Sequence, residues 1–207
     1  MKNILVKDMT PVERFLYWVE EREAIRLRKE TGSFKPWTQD EILRTYKFCN
    51  VRRMDDKVSQ WLLENWYQPH FNHPNMLVAC AIARHFNLPS ALERITDGVF
   101  NKPWNPEAIK KVLRSHKSRG HNIFNGAYMV RGIGEVDKTE MVISKVVQPL
   151  TGKHYRETVD VYSMQRSVEN LLPYWGFSMF MAGQVVADLR WAVKGDWSDK
   201  NDWAPMG

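Results

Sequence analysis

With 207 residues, 43% of them hydrophobic and 12% aromatic, the chain has material for one sizeable helical core or two small ones, and that apolar content excludes wholesale disorder. Thirty Lys and Arg against 24 Asp and Glu give a net charge of +6, which favours a polyanionic partner such as nucleic acid. Cys49 and Cys80 are too few for a disulfide framework, a four-cysteine zinc site or an iron–sulfur cluster held by this chain alone, and no apolar run reaches the roughly 18 residues of a membrane span. The start, MKNILVKDMT, lacks the long apolar stretch of a secretory signal, so a reducing cytoplasm and no membrane partner are expected.

Thr10-Pro11-Val12-Glu13 has the pattern of a capping box with proline at the first helical position, which predicts a helix to about Glu30, closed by Gly32. Phe15, Trp18, Val19, Ile25 and Leu27 are expected to face the core. Phe34-Lys35-Pro36-Trp37 should be extended, because a residue before proline is driven out of the helical region. Thr38-Gln39-Asp40-Glu41 opens a second helix through Ile42, Leu43, Tyr46 and Phe48. A polar connector, Asn50 to Asp56, leads to a third helix with Val58, Trp61, Leu62 and Trp66.

Asn72-His73-Pro74 starts a fourth helix that ends at Asn87-Leu88-Pro89. A short helix from Ser90 to about Thr96 follows, with Asp97-Gly98 as a turn. Asn105-Pro106 opens a helix to about Ser118, whose outer side is expected to hold Lys110, Lys111, Arg114, His116, Lys117 and Arg119, and Gly120 stops it. The glycine-rich stretch Asn125 to Gly134 is an extended element or a loop. Asp137-Lys138-Thr139-Glu140 begins another helix, closed by Pro149 and Gly152. A polar segment with Lys153, His154 and Arg156 leads to a helix from about Ser163.

The stretch Leu171 to Leu189 reads as a helix-hairpin-helix. Pro173 and Gly176 stop one helix and turn the chain, and Ser178 caps an apolar helix from Met179 to Trp191. The open start of that helix is a seat for phosphate, and an ordinary helical corner is the alternative. The sum is an all-α chain, either a single helical domain over 1–207 or two lobes, about 34–130 and 1–33 with 131–207.

Three further patterns bear on chemistry. Thr151-Gly152-Lys153 lacks the upstream glycine and the strand of a P-loop, so a self-contained nucleotide kinase of that type is not expected. His70 and His73 have a metal-like spacing without further ligands nearby, and no metal is expected. Arg52, Arg53, Asp55 and Asp56 form a compact cluster that is either a solvated turn or an arginine that grips phosphate beside a carboxylate base. Asp196, Asp199 and Asp202, interleaved with Trp197 and Trp203, are either a solvated tail or part of a base-holding pocket.

A hairpin followed by an aspartate resembles the helix-hairpin-helix DNA glycosylases. Their Leu-Pro-Gly-x-Gly is replaced here by Leu172-Pro173-Tyr174-Trp175-Gly176, which argues against glycosylase activity. A broader resemblance covers nearly the whole chain: Pro36-Trp37-Thr38-x-Asp40, Phe48-x-Asn50-Val51-x-Arg53-x-x-Asp56, Gly126-Ala127-Tyr128, Gly176-Phe177-Ser178-x-Phe180-Met181-Ala182-x-Gln184, Asp188-Leu189 and Trp203-Ala204-Pro205-Met206-Gly207. These motifs look like the bacteriophage thymine-hypermodification family, the alpha-glutamyl/putrescinyl-thymine pyrophosphorylases, also known as the helical domain of hydroxymethyluracil DNA kinase. That family leads one to expect a glycine- and arginine-rich segment after Met206-Gly207.

The resemblance implies an enzyme of the infected bacterial cytoplasm that acts on double-stranded DNA carrying 5-hydroxymethyluracil. The missing P-loop favours amino acid or polyamine transfer onto the phosphorylated base, with a small amine or amino acid donor and no cofactor. The alternatives are the kinase step, with ATP, and a modified-base binding module without catalysis. In this reading Gly176, Phe177 and Ser178 hold the DNA backbone with Lys110, Arg114 and Arg119. Trp37, Asn50, Tyr128, Gln184 and Trp203 contact the flipped base. Arg53 stabilises phosphate, and Asp56, Asp188 or Asp202 takes the proton.

Overall fold

The computed structural model describes residues 9–126, 136–152 and 155–205, leaving aside the side chains at 155 and 156. Among these residues the regular structure is all helical, with no strand. Tyr128, most of the glycine-rich stretch, Lys153, His154, the Arg156 side chain and the final Met206-Gly207 lie outside the described residues. The chain forms two compact units, Met1–Lys57 and Val58–Gly207, a different division from the lobes expected from sequence.

In the first unit, helix α1 spans Pro11–Glu30. Its capping box is real: Glu13 N donates to Thr10 Oγ1 at 3.3 Å, and Thr10 N donates to Glu13 Oε2 at 2.7 Å. The expected core face is not. No α1 residue is buried, and Phe15 is 61% exposed. The helix is held laterally instead, by ion pairs Glu23–Arg26 at 2.8 Å and Arg26–Glu30 at 2.7 Å and by aromatic contacts. Phe15 stacks on Trp18 at 6.1 Å, Phe48 meets Trp18 edge-on at 6.0 Å, and Arg22 lies 4.5 Å over the Trp18 ring. Helix α2 is short, Glu41–Thr45, capped by Asp40, which accepts from Leu43 N at 2.9 Å. It stops before Phe48 because Tyr46 is already extended.

In the second unit, α3 (Lys57–Trp61) runs on into a π-helical stretch, Leu62–Tyr67, and a 3₁₀ turn, Gln68–His70. The same sequence of windings recurs in α7 (Lys138–Glu140), followed by π-helical Met141–Val147 and 3₁₀ Gln148–Leu150. Both pass through Gln-Pro. Pro69 and Pro149 cannot donate a backbone hydrogen bond, and their rings crowd the carbonyl four residues back, so the preceding turn widens. Accordingly Gln68 N donates to Leu63 O and Gln148 N to Ile143 O, each five residues back.

Helix α4, Met76–Phe86, is buried along its whole length and forms the centre of the unit, packed by α10, α5 and the π stretch after α7. It ends at Asn87, which adopts the left-handed conformation at φ 48°. Helix α5 runs Pro89–Phe100, through the expected Asp97-Gly98 turn, because Val99 and Phe100 beyond it are buried and reward the extra turn. Gly98 also lets α6 close in: a Cβ there would lie 3.3 Å from Ile109 Cγ1. Helices α6 (Pro106–Ser118), α8 (Tyr155–Thr158), α9 (Met164–Leu171) and α10 (Met179–Ala192) complete the unit.

Candidate nucleic-acid interface

The hairpin between α9 and α10 is fixed by two features. Gly176 sits at φ +90°, and a Cβ there would lie 2.6 Å from Val146 Cγ2, so the residue is required both by conformation and by space. His85 of α4 pins the turn from below: its Nδ1 is 2.8 Å from Ala81 O, and its ring meets Phe177 edge-on at 5.6 Å. Burial pushes the His85 pKa below 6.5, against the opposing effect of hydrogen bonds to the backbone of Ala81 and Gly176. Ser178 caps α10 by accepting from Met181 N at 3.3 Å, which leaves the positive end of the helix dipole at the turn. Ser178 and Gly176 are exposed, whereas Phe177 is buried and anchors the turn to the core rather than facing a ligand.

The aspartates of the second unit separate into distinct roles. Asp188 has no exposed surface; Arg84 holds it in a fork, Nε to Oδ2 at 2.5 Å and Nη2 to Oδ1 at 2.7 Å, and Tyr67 Oη donates at 2.5 Å. Nη2 also donates to Ser59 Oγ at 3.3 Å, and Nη1 donates to Asn87 Oδ1 at 3.3 Å. Desolvation and the Asp188 charge raise the Tyr67 pKa well above its ordinary value, so the phenol stays protonated and donates. A carboxylate so enclosed is a structural ion pair, which corrects the expectation that Asp188 receives a proton from substrate.

Asp199, not Asp202, is the engaged carboxylate of the tail. It accepts from Met164 N at 2.7 Å, Ser163 Oγ at 2.8 Å and Gln165 N at 3.0 Å, and so caps α9. Burial raises its pKa, but these hydrogen bonds outweigh burial and the net shift is downward. Asp202 is exposed, and Trp203 is half-buried against the core. The tail reaches its position by crossing α10 at Gly183, where a Cβ would lie 2.3 Å from Pro205 Cγ. Gln184, the next residue, is half-buried.

Helix α6 is less uniformly basic on its outside than its sequence suggests. Lys110 is 3% exposed, its Nζ bonded to Glu140 at 2.8 Å and Ser144 at 3.2 Å and paired with Glu107 at 2.6 Å. It ties α6 to α7 and is not available to DNA, which corrects its expected role. Sequence periodicity missed this because the carboxylate that claims it lies 30 residues away. His116 is likewise buried rather than outward. Arg114 is exposed but shares Glu140, at 2.9 Å, and Arg119 is exposed. Glu140 answers both cations, and its hydrogen bond from Lys110 leads the causes that lower its pKa to about 2.

The first unit carries its own candidate pocket, about 550 Å³, lined by Arg22, Arg26, Lys29, Tyr46, Phe48 and Asn50 among others. Glu30 and Asp55 also line it and Arg26 is already paired with Glu23 and Glu30, so the two aromatic rings suit stacking on a base, Asn50 reading its edge, and Arg22 and Lys29 holding phosphate. Arg53 begins a 3₁₀ turn, Arg53–Asp55, and both Arg53 and Asp56 are half-buried. Around the turn Arg52, whose side chain is 60% exposed, pairs with Glu23 at 2.6 Å, and Asp55 accepts from Arg52 N at 3.2 Å. Trp37 is half-buried, its Nε1 donating to Ser33 O at 2.8 Å, with Lys29 and Lys35 each 4.8 Å from its ring centre. Sequence reading did not single out Arg22, Tyr46 and Phe48 as candidate contacts: Tyr46 and Phe48 fit the apolar side of a helix, and Arg22 fits a solvated charged face.

His70 stacks on Phe100 at 3.7 Å and His73 meets it edge-on at 5.4 Å. Among the described residues no group of three or more His, Cys, Asp or Glu side chains is arranged to hold a metal, and no helix is long and apolar enough to cross a membrane.

The family described as 5-hmdU DNA kinase, helical domain, matches residues 10–207. A 5-hmdU DNA kinase of Bacillus phage SP10 is 26% identical over 211 residues, covering 92% of this chain and 32% of the relative. The chain thus spans about a third of that relative's length. No solved structure matches it. The match takes in α1 to α10 and the tail, and the chain belongs to the family of 5-hmdU DNA kinase helical domains.

Proposed function

We propose that this chain supplies the acceptor side of a phosphoryl transfer to 5-hydroxymethyluracil in phage DNA, working in the cytoplasm of the infected bacterium. The family match over residues 10–207 carries the reading, and it moves the function from amine transfer, the step favoured by sequence, to the kinase step. The amine donor is dropped with it. The pocket of about 550 Å³ falls in the size range of small-ligand sites, about 300–1,000 Å³.

In this reading the base leaves the duplex and stacks on Tyr46 or Phe48, with Asn50 at its edge. The hydroxymethyl oxygen attacks the γ-phosphorus of ATP; the new O–P bond forms as the bond to the bridging oxygen breaks, and ADP leaves. Asp56 takes the hydroxyl proton, and Arg53 stabilises charge on the transferring group. Trp37, in the same unit, is a further proposed contact of the base, and Tyr128, Gln184, Asp202 and Trp203 are proposed contacts of the DNA made separately by the second unit. The match covers only 32% of the SP10 kinase, and the nucleotide is proposed to be held by a part of that kinase outside the match.

The test is complementation. The SP10 kinase with its matched third deleted is mixed with this chain, hydroxymethyluracil duplex and γ-labelled ATP, and the DNA is digested to nucleosides. Label on the modified nucleoside is expected only when both proteins are present, and Asp56→Ala should lower it by about 100-fold. An amine adduct formed by this chain alone on phosphorylated DNA would overturn the kinase reading and restore the transferase.

A further inference from the structure

The basic side chains of α6 change character along the helix. Lys110 and Arg114 are answered by Glu140, and Lys117 lies near Asp137. At the C-terminal end no such answer appears among the described residues. His116, 7% exposed, has an enclosed Nε2 with no hydrogen-bond partner, and its ring stacks on His121 at 4.5 Å and 14°. Two guanidiniums act on the same imidazole, Arg94 from α5 and Arg119 from the residue after α6. Both are exposed, and among the described residues neither has an ion pair; Arg119 reaches only Ser115 Oγ, at 3.3 Å.

The grouping is unfavourable in the bare protein. Burial first, then His121, Arg94 and Arg119, hold the His116 pKa below 6.5, because a further charge would add to an existing positive field. Cations at a helix C-terminus are favourable in themselves. That accounts for Lys117 and Arg119 but not for an arginine from a second helix converging there, nor for a buried ring nitrogen without a partner. Both are accounted for by an anion. A phosphodiester offers two non-bridging oxygens that share one negative charge, with lone pairs enough for the guanidinium forks and for an imidazole N–H.

We propose that Arg94, His116, Arg119 and His121 form a phosphodiester-binding site that grips the DNA backbone. It lies apart from the hairpin seat at Gly176–Ser178 and from the first-unit pocket in sequence, and it reads no base. Bound phosphate would also favour protonated His116, so affinity should rise as pH falls through the imidazole range; the groups facing that ring are His121, Arg94 and Arg119. The inference rests on the reading that the chain engages DNA.

The test is fluorescence anisotropy of the full chain with labelled duplexes containing thymine or hydroxymethyluracil, across salt and pH. Arg94→Ala with Arg119→Ala should weaken binding to both duplexes equally, by about tenfold or more near 0.1 M salt, and reduce the salt slope by about two. Arg94→Lys with Arg119→Lys should restore most of the affinity, which separates lost charge from lost fold. His116→Asn should flatten the rise on acidification. Unchanged affinity and slope in the double alanine variant would overturn the site while leaving the acceptor-side reading intact. Loss of the preference for hydroxymethyluracil with backbone affinity unchanged would also overturn the site, since it would make these residues base readers. If the wild-type chain binds neither duplex, the DNA reading itself fails, and this site with it.

Discussion

Arg84 and Asp188 illustrate what a single residue gains from its surroundings. Each is nearly or wholly buried, 2% and 0% exposed, so removing one strands the other's charge in the core. Asp188→Asn or Arg84→Met should therefore lower stability by about 3–5 kcal/mol in urea titrations. Arg84→Met with Asp188→Leu and Tyr67→Phe should recover most of that loss, because both buried charges and the hydroxyl that donates to Asp188 are then removed together. Gly176→Ala should cost about 1–3 kcal/mol for its left-handed backbone alone, and the contact with Val146 adds to it. Trimming Val146 to Ala should relieve the contact but not the backbone strain. The need for Gly176 was legible in sequence, since glycine after Pro173 marks a turn. The role of Asp188 was not, because its partner lies 104 residues away.

Elements were read most reliably where capping chemistry is local. Thr10, Asn105, Asp137, Ser163 and Ser178 all cap the helices they were expected to start, or those their sequence pattern announced. The misread boundaries have tertiary causes: α5 passes through Asp97-Gly98 because Val99 and Phe100 are buried, and α1 has apolar residues that no core covers. The hairpin and α4 share a titratable joint in His85. Its native pKa lies below the ordinary 6.5, so the unfolded chain binds the proton first. Stability from this residue is fully present above about pH 6.5 and is lost as pH falls through the native value. His73 and His116, also lowered, act in the same direction. The urea midpoint should fall on acidification from pH 7 toward 5, and less steeply in His85→Asn. Glu140 contributes in a separate window, from 4.5 down to about 2, because its native pKa is depressed. At Gly183 the tail crosses α10 within van der Waals contact, so Gly183→Leu should displace Trp203 and red-shift tryptophan emission without unfolding α10.

At the scale of the whole molecule, composition gives the charge of +6 and periodicity announced the all-helical structure of the described residues, whereas the division into Met1–Lys57 and Val58–Gly207 follows neither lobe boundary expected from sequence. The split of the candidate contacts between the units was not announced: Arg53, Asp56, Asn50 and Trp37 belong to Met1–Lys57, while Gln184, Asp202 and Trp203 belong to Val58–Gly207. Sequence proximity says nothing about which of these share a pocket. The family match places the chain among helical domains of 5-hmdU DNA kinases. The central claim is that the chain selects hydroxymethyluracil in duplex DNA for phosphorylation. Competition binding of one duplex sequence, with thymine or hydroxymethyluracil at a single position, tests it most directly. The account predicts tighter binding to the modified duplex, with the preference lost in Asn50→Ala. Equal affinity for the two duplexes would contradict it.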